Sequence, residues 1–170
     1  MLTSIRAALV ITLAVLPGFV SGQTPAAAKV NTISIGSDGI VHILHSGGVE
    51  FIAPKEKEQV STGSSSIADD KSAAGWLVFY ENCCTSYPIP LGLLVYRPGR
   101  PLRRFGDGMF IVDWSFLPGG KQVAFYTNTV HGDFAPHYEL HDIETGRLIG
   151  KWEGHPNGKS PAWVHRLRSD

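Results

Sequence analysis

Two stretches of this chain read as copies of one unit, and an internal repeat limits the available folds more than any single motif. Residues 71–82, KSAAGWLVFYEN, and residues 116–128, FLPGGKQVAFYTN, both run from a small or polar turn into an apolar strand ending in Phe-Tyr-x-Asn. Aligned on Phe79 and Phe125 they lie 46 positions apart. Downstream, VYRPGRPLRRF matches DIETGRLIGKW at a spacing of 47, with Gly99 on Gly146, Arg100 on Arg147 and Phe105 on Trp152. A period of this size marks supersecondary units that bury their apolar faces against one another.

Within the second copy the strands separate cleanly. Residues 109–116, 122–127, 137–143 and 147–152 are apolar or alternating, and LPGG, the loop 130–136 and ETG punctuate them. Short runs bounded by turn residues predict antiparallel β structure, and no window sustains a 3.6-residue period. The N-terminal part repeats the pattern with three strands, NTISIG, IVHILHS and VEFIAPKEK; residues 55–66 are polar and hold a loop and a weak outer strand. SPAWVHRL reads as one last strand. The expectation is an all-β, antiparallel domain over 30–168, built of four-stranded units at about 30–60, 61–107 and 108–154. A closing strand at 160–167 would complete the first unit.

VDWSFLPGGKQVAFYTN followed by YELHDIETGRLIGKWEGH resembles a blade of a WD40-like or TolB-like β-propeller. Ser115, Pro118, Gly119, Gly120, Asp142, Gly146 and Arg147 stand at the strand-end, turn and Asp-x-x-x-Gly-Arg places of such blades, and Gly154-His155 resembles the Gly-His of WD40 repeats. Gly119 stands where Asp is usual, and His141-Asp142 replaces Trp-Asp. The resemblance implies about three propeller-like blades, the last strand closing the first. Closed propellers have four to eight blades. A small three-unit ring, a homodimer forming a six-blade ring, or pairing with another protein would each protect the open edges.

The first 22 residues have a basic start, the apolar run AALVITLAVLPGFV and small residues before Gln23, the pattern of a secretory signal peptide. The run is shorter than the roughly 20 residues a spanning helix needs. Export to the periplasm or the extracellular space is expected, with 23–29 a flexible lead-in and no membrane span in the mature chain. Fifteen basic residues balance fifteen acidic ones, which argues against nucleic acid as a partner.

Cys83 and Cys84 are the only cysteines, adjacent in the loop after the Phe79-Tyr80 strand. Export favours oxidation. Neighbouring Cα atoms about 3.8 Å apart fall below the usual disulfide range. A strained neighbour ring, a bridge between chains and two thiols all remain open. His131, Asp133 and His137 form the nearest approach to a metal set, on a spacing that matches no named zinc pattern. GHPNGKS is one residue short of a phosphate loop and Pro161 follows it, so it reads as a turn. Neither G-x-S-x-G nor H-E-x-x-H occurs, and no cofactor is expected.

Two functional expectations follow. The first is a non-enzymatic exported binding or scaffold module that contacts a protein or peptide through the loops 82–91 and 129–136. Tyr87, Pro88, Ile89, Pro90, His131, Asp133 and Phe134 would be its contact residues, because loops on a rigid sheet carry recognition. The alternative is a redox or metal-dependent enzyme using Cys83 and Cys84, or His131, Asp133 and His137.

Overall fold

The computed structural model describes residues 28–83, 85–131 and 134–167. The expected signal peptide and most of the lead-in, together with Cys84 and Asp133, lie outside the described residues. Among the described residues, eleven strands form three antiparallel sheets, each a simple meander. Sheet 1 holds β1 (Val30–Ile35), β2 (Val41–His45) and β3 (Glu50–Ile52). Sheet 2 holds β4 (Gln59–Ile67), β5 (Ala74–Tyr80), β6 (Ile89–Tyr96) and β7 (Arg103–Phe105). Sheet 3 holds β8 (Phe110–Phe116), β9 (Gln122–Asn128), β10 (His137–Asp142) and β11 (Leu148–Glu153). The all-β, antiparallel expectation therefore holds.

Sheet 2 is the middle layer, and β5 shows why. Ala74, Trp76, Val78 and Tyr80 point toward sheet 1, while Leu77 and Phe79 point toward sheet 3. Both faces are apolar, so a strand with period-2 geometry reads as a continuous hydrophobic run. Between sheets 1 and 2 lie Val41, Ile43, Trp76, Leu94 and Tyr96. Between sheets 2 and 3 lie Leu93, Phe105, Ile111, Trp114, Val123 and Phe125. Fully burying one such side chain is worth about 1.5–3 kcal/mol.

The closing strand expected at 160–167 does not form. The segment winds instead into a 3-10 turn at Val164–Arg166. Pro161 has no N–H for a ladder, and its carbonyl accepts the Val164 N–H at 3.0 Å. Winding with an i→i+3 bond brings Val164 and Leu167 to one side. There they are buried on the outer face of sheet 3 against Ala124, Tyr126, Tyr138 and Leu140. Trp163 lies over Gly150. The chain's C-terminal part thus covers the third sheet and adds no strand to the first, whose outward face keeps Leu44 and Ile52 exposed.

The repeat is real in outline, but its register differs from the Phe79-on-Phe125 alignment. Those two rings enter the same core from opposing sheets. The turns give the correct phase. Gly39 N–H donates to Gly36 O, Lys71 N–H to Ala68 O and Gly120 N–H to Leu117 O, and all three donor residues have positive φ (77°, 59° and 61°). Lys71 and Gly120 are 49 positions apart, so Trp76 corresponds to Phe125, each facing the preceding sheet. The cross-strand row Leu77, Leu93, Phe105 then matches Tyr126, Tyr138, Trp152. Phe105 and Trp152 therefore take equivalent places in their sheets; the offset falls from 49 to 45 across the loop between β5 and β6 and returns to 47 across the following turn.

Candidate functional site

In a meander, connections alternate between the two ends of the sheet. The loops 81–88 and 129–136 join β5 to β6 and β9 to β10, so they emerge at the same end of the stack. Between them runs an open groove of about 270 Å³, lined by Ile89, Leu91, Met109, Phe110, Val130 and His131. Sheet 2 supplies one wall and the start of β8 supplies the floor.

Leu91 reaches the groove because of a bulge. Val78 pairs with Gly92 and Phe79 with Pro90, which leaves Leu91 as an extra residue. Arg104 fixes the bulge by donating from Nη2 to Leu91 O at 3.0 Å and from Nη1 to Gly106 O at 2.9 Å. Gly92 must be glycine here, since a Cβ would stand 2.9 Å from both Arg104 Nη2 and Val78 Cγ2. Arg104 is held in turn by Glu56, with Nε 3.2 Å from Oε2, and the Tyr80 hydroxyl bonds the same carboxylate. Burial and the Glu56 carboxylate together raise the Tyr80 pKa. Burial opposes the charge on Arg104, but its bonds to Glu56 and Tyr80 more than offset this and raise its pKa.

The expected contact residues divide. Tyr87 and Phe134 are large side chains, exposed to 58% and 70%. His131 lines the groove. Pro88 is exposed beside Tyr87. Ile89 and Pro90, however, belong to β6 and are buried, because the strand begins earlier than the loop boundary at 91 allowed. Ile89 contributes to the groove wall and Pro90 to the sheet. Met109 and Phe110 were missed by sequence reasoning. The signal was present in FGDGMF, where an apolar pair follows two glycines between units.

Cys83 is exposed in the 81–88 loop. Asp133 and Cys84 being outside the described residues, neither the cysteine pair nor the proposed metal set can be assembled from the geometry. His137 opens β10 and bonds two carboxylates. Its Nδ1 lies 2.5 Å from Glu153 Oε1 and its Nε2 3.0 Å from Glu139 Oε1. Glu139 Oε2 also meets His141 Nε2 at 2.6 Å, and His141 Nδ1 faces Gly146 O at 3.2 Å. The His141 ring stacks on Phe125 and tilts against Phe105. The hydrogen bond from His141 holds the Glu139 pKa down to about 2 against the opposing effect of burial, with His137 assisting. Burial disfavours a charged His137, yet its bonds to Glu139 and Glu153 prevail and raise its pKa. This chain of ionic hydrogen bonds ties the root of the 129–136 loop to the sheet.

No family model and no curated protein matches the chain. Among the described residues, no helix is long and apolar enough to cross a membrane.

Proposed function

We propose that this protein is an exported, non-enzymatic binding module of stacked, propeller-like β units, and that it grips an extended peptide segment of a protein partner. The carrying observation is that the two longest strand-to-strand loops flank one apolar groove, with Tyr87, Met109 and Phe134 exposed at its end of the stack. Apolar surface gathered between polar loop backbones is what a partner's side chains can displace water from. The groove is shallow and open, which suits side chains of a chain segment better than an enclosed small molecule. Its wall is rigid, pinned through Arg104 and the Leu91 bulge, so little ordering is lost on binding.

The propeller-like part of this reading is supported by the shared turns at Gly39, Lys71 and Gly120, which recur in all three sheets. The exported part is supported by the N-terminal basic-apolar-small pattern. Panning a random peptide library against the protein tests the groove. Selected peptides should carry one or two large apolar residues. Tyr87→Ala combined with Met109→Ala should weaken their binding at least tenfold while the near-ultraviolet circular dichroism stays unchanged. Undiminished binding by this double variant would remove the assignment.

A further inference from the structure

The opposite end of the stack carries a second concavity, of different chemistry. It lies between the turn 97–102, which joins β6 to β7, and the turn 143–147, which joins β10 to β11. Arg97, Arg100, Arg103, Val95, Ile143 and Glu144 line it, and it encloses about 110 Å³. The three guanidiniums converge on one residue. Arg97 Nη1 bonds Glu144 Oε2, Arg100 Nη2 meets Glu144 Oε1 at 3.0 Å, and Arg103 Nη2 donates to the Glu144 carbonyl. Two guanidiniums thus meet the Glu144 carboxylate and the third holds its carbonyl, so three positive charges gather on one acidic residue. Arg97 and Arg100 continue into a neighbouring hollow shared with Lys29 and Ser72, and Arg97 into another with Lys121 and Asp142.

An ion pair that merely tied sheet 2 to sheet 3 would need one guanidinium for one carboxylate. Crowding Arg97 and Arg100 of one turn together with Arg103 at the start of β7 costs mutual repulsion. Asp142 Oδ1 accepts from the Thr145 N–H and hydroxyl, each at 2.7 Å, and Asp142 lines the neighbouring hollow with Arg97 and Lys121 rather than this one. Arginine presents five N–H donors in a planar fork. Glu144 takes one from each side chain, and all three arginines also line the hollow. Guanidinium forks of this kind match phosphoryl oxygens in pairs.

We propose that this hollow is a binding site for a dianionic phosphoryl group, with Arg97, Arg100 and Arg103 as its ligands and Glu144 as an internal stand-in for the anion. The excess of two positive charges over Glu144 equals the charge of the ligand. Glu144 organises the arginines when the site is empty of anion and competes electrostatically with it. The group is either free phosphate or the phosphoryl end of a monoester. The site is independent of the peptide groove, since the two lie at opposite ends of the strands.

Isothermal titration of the folded protein with inorganic phosphate and with phosphoserine, at constant ionic strength, tests this. Saturable one-to-one binding is expected for one or both, with acetate and chloride giving none. Binding of phosphate alone assigns the free ion, and binding of phosphoserine assigns the monoester. Glu144→Gln removes the competing charge while keeping a hydrogen-bonding side chain, and should tighten binding about fivefold or more. Arg97→Gln with Arg100→Gln should abolish it, whereas Lys57→Gln, on the exposed 55–58 segment, should leave it unchanged. Retention of fold in each variant is read from the near-ultraviolet spectrum. Should the double arginine variant fail to fold, Arg100→Gln alone, an exposed position, should still weaken binding about tenfold. Absence of saturable binding by either probe up to about 10 mM, or binding indifferent to both Glu144→Gln and the arginine changes, overturns the proposal.

Discussion

Replacing Gly75 with alanine tests the packing of sheets 2 and 3 directly. Gly75 sits in β5 with Trp114 of β8 lying over it. An added Cβ would stand 2.8 Å from Trp114 Cη2, 3.0 Å from Cζ3 and 3.3 Å from Leu94 O. The indole cannot simply retreat, because Trp114 Nε1 donates to Ser64 O at 3.0 Å and the ring meets Phe116 edge-on. Overpacking of this kind costs about 1–3 kcal/mol, and a lost or bent indole hydrogen bond costs about 1 kcal/mol more. The lower backbone entropy of alanine returns about 0.5–1 kcal/mol. The net expectation is a loss of about 2 kcal/mol, a fall of about 1 M in the urea midpoint at an ordinary m value. Trp114→Phe removes the two clashing atoms. In the Gly75→Ala background it should be less harmful than in wild type by at least about 1 kcal/mol. A Gly75→Ala protein as stable as wild type, or strict additivity in the double variant, would refute this account of how the two sheets meet.

Other changes follow from the same geometry. Lys71 holds φ at 59°, a value its Cβ disfavours, so Lys71→Gly should stabilise by about 0.5–1 kcal/mol in urea denaturation. Gly120→Ala at the corresponding place should destabilise instead, since its Cβ would also strike Asp70 Oδ1 at 2.3 Å and Ser72 Oγ at 2.5 Å. His137 has a raised pKa in the folded state, so its contribution is complete below about pH 6.5 and is lost as pH rises through the folded value. His137→Gln should accordingly cost on the order of 1 kcal/mol at pH 6 and clearly less at pH 9, measured by parallel urea titrations. Glu139 behaves with the opposite sign: its stabilisation is present above about pH 4.5 and fades as pH falls toward 2, so Glu139→Gln should lose its penalty there. Val164→Ala should cost about 1–2 kcal/mol by thermal denaturation, since it opens a gap above Tyr126 and Tyr138.

Strand content and order were legible because alternation and turn residues act locally. Gln122–Asn128 and His137–Asp142 fall within a residue or so of the runs read from the sequence. Phase was harder. Phe-Tyr-x-Asn recurs as composition, while the face each residue takes is set by the turn before it, and Lys71 conceals the positive φ that Gly39 and Gly120 advertise. The Leu91 bulge likewise shifts side chains without any local marker except Gly92. SPAWVHRL resembles a strand until one asks where it would pair; Pro161 and the three-residue spacing of Val164 and Leu167 favour winding onto an apolar face already present. The loops that flank the groove were readable from their length, but Met109 becomes part of it only when two sheets meet. The arginines of RPGRPLRR entered the sequence reading only as part of the repeat match, not as a cluster. Their partner Glu144 was not legible, because the contact spans more than forty residues.

The segment that covers sheet 3 lies downstream of all the described strands. A chain made from its N-terminus onward must therefore expose Tyr126, Tyr138 and Leu140 to solvent until synthesis has passed Leu167. During that interval the nascent protein presents a wide greasy plane to holdases and to its own siblings. Deleting residues 160–167 would be more damaging to yield than the loss of one 3-10 turn suggests.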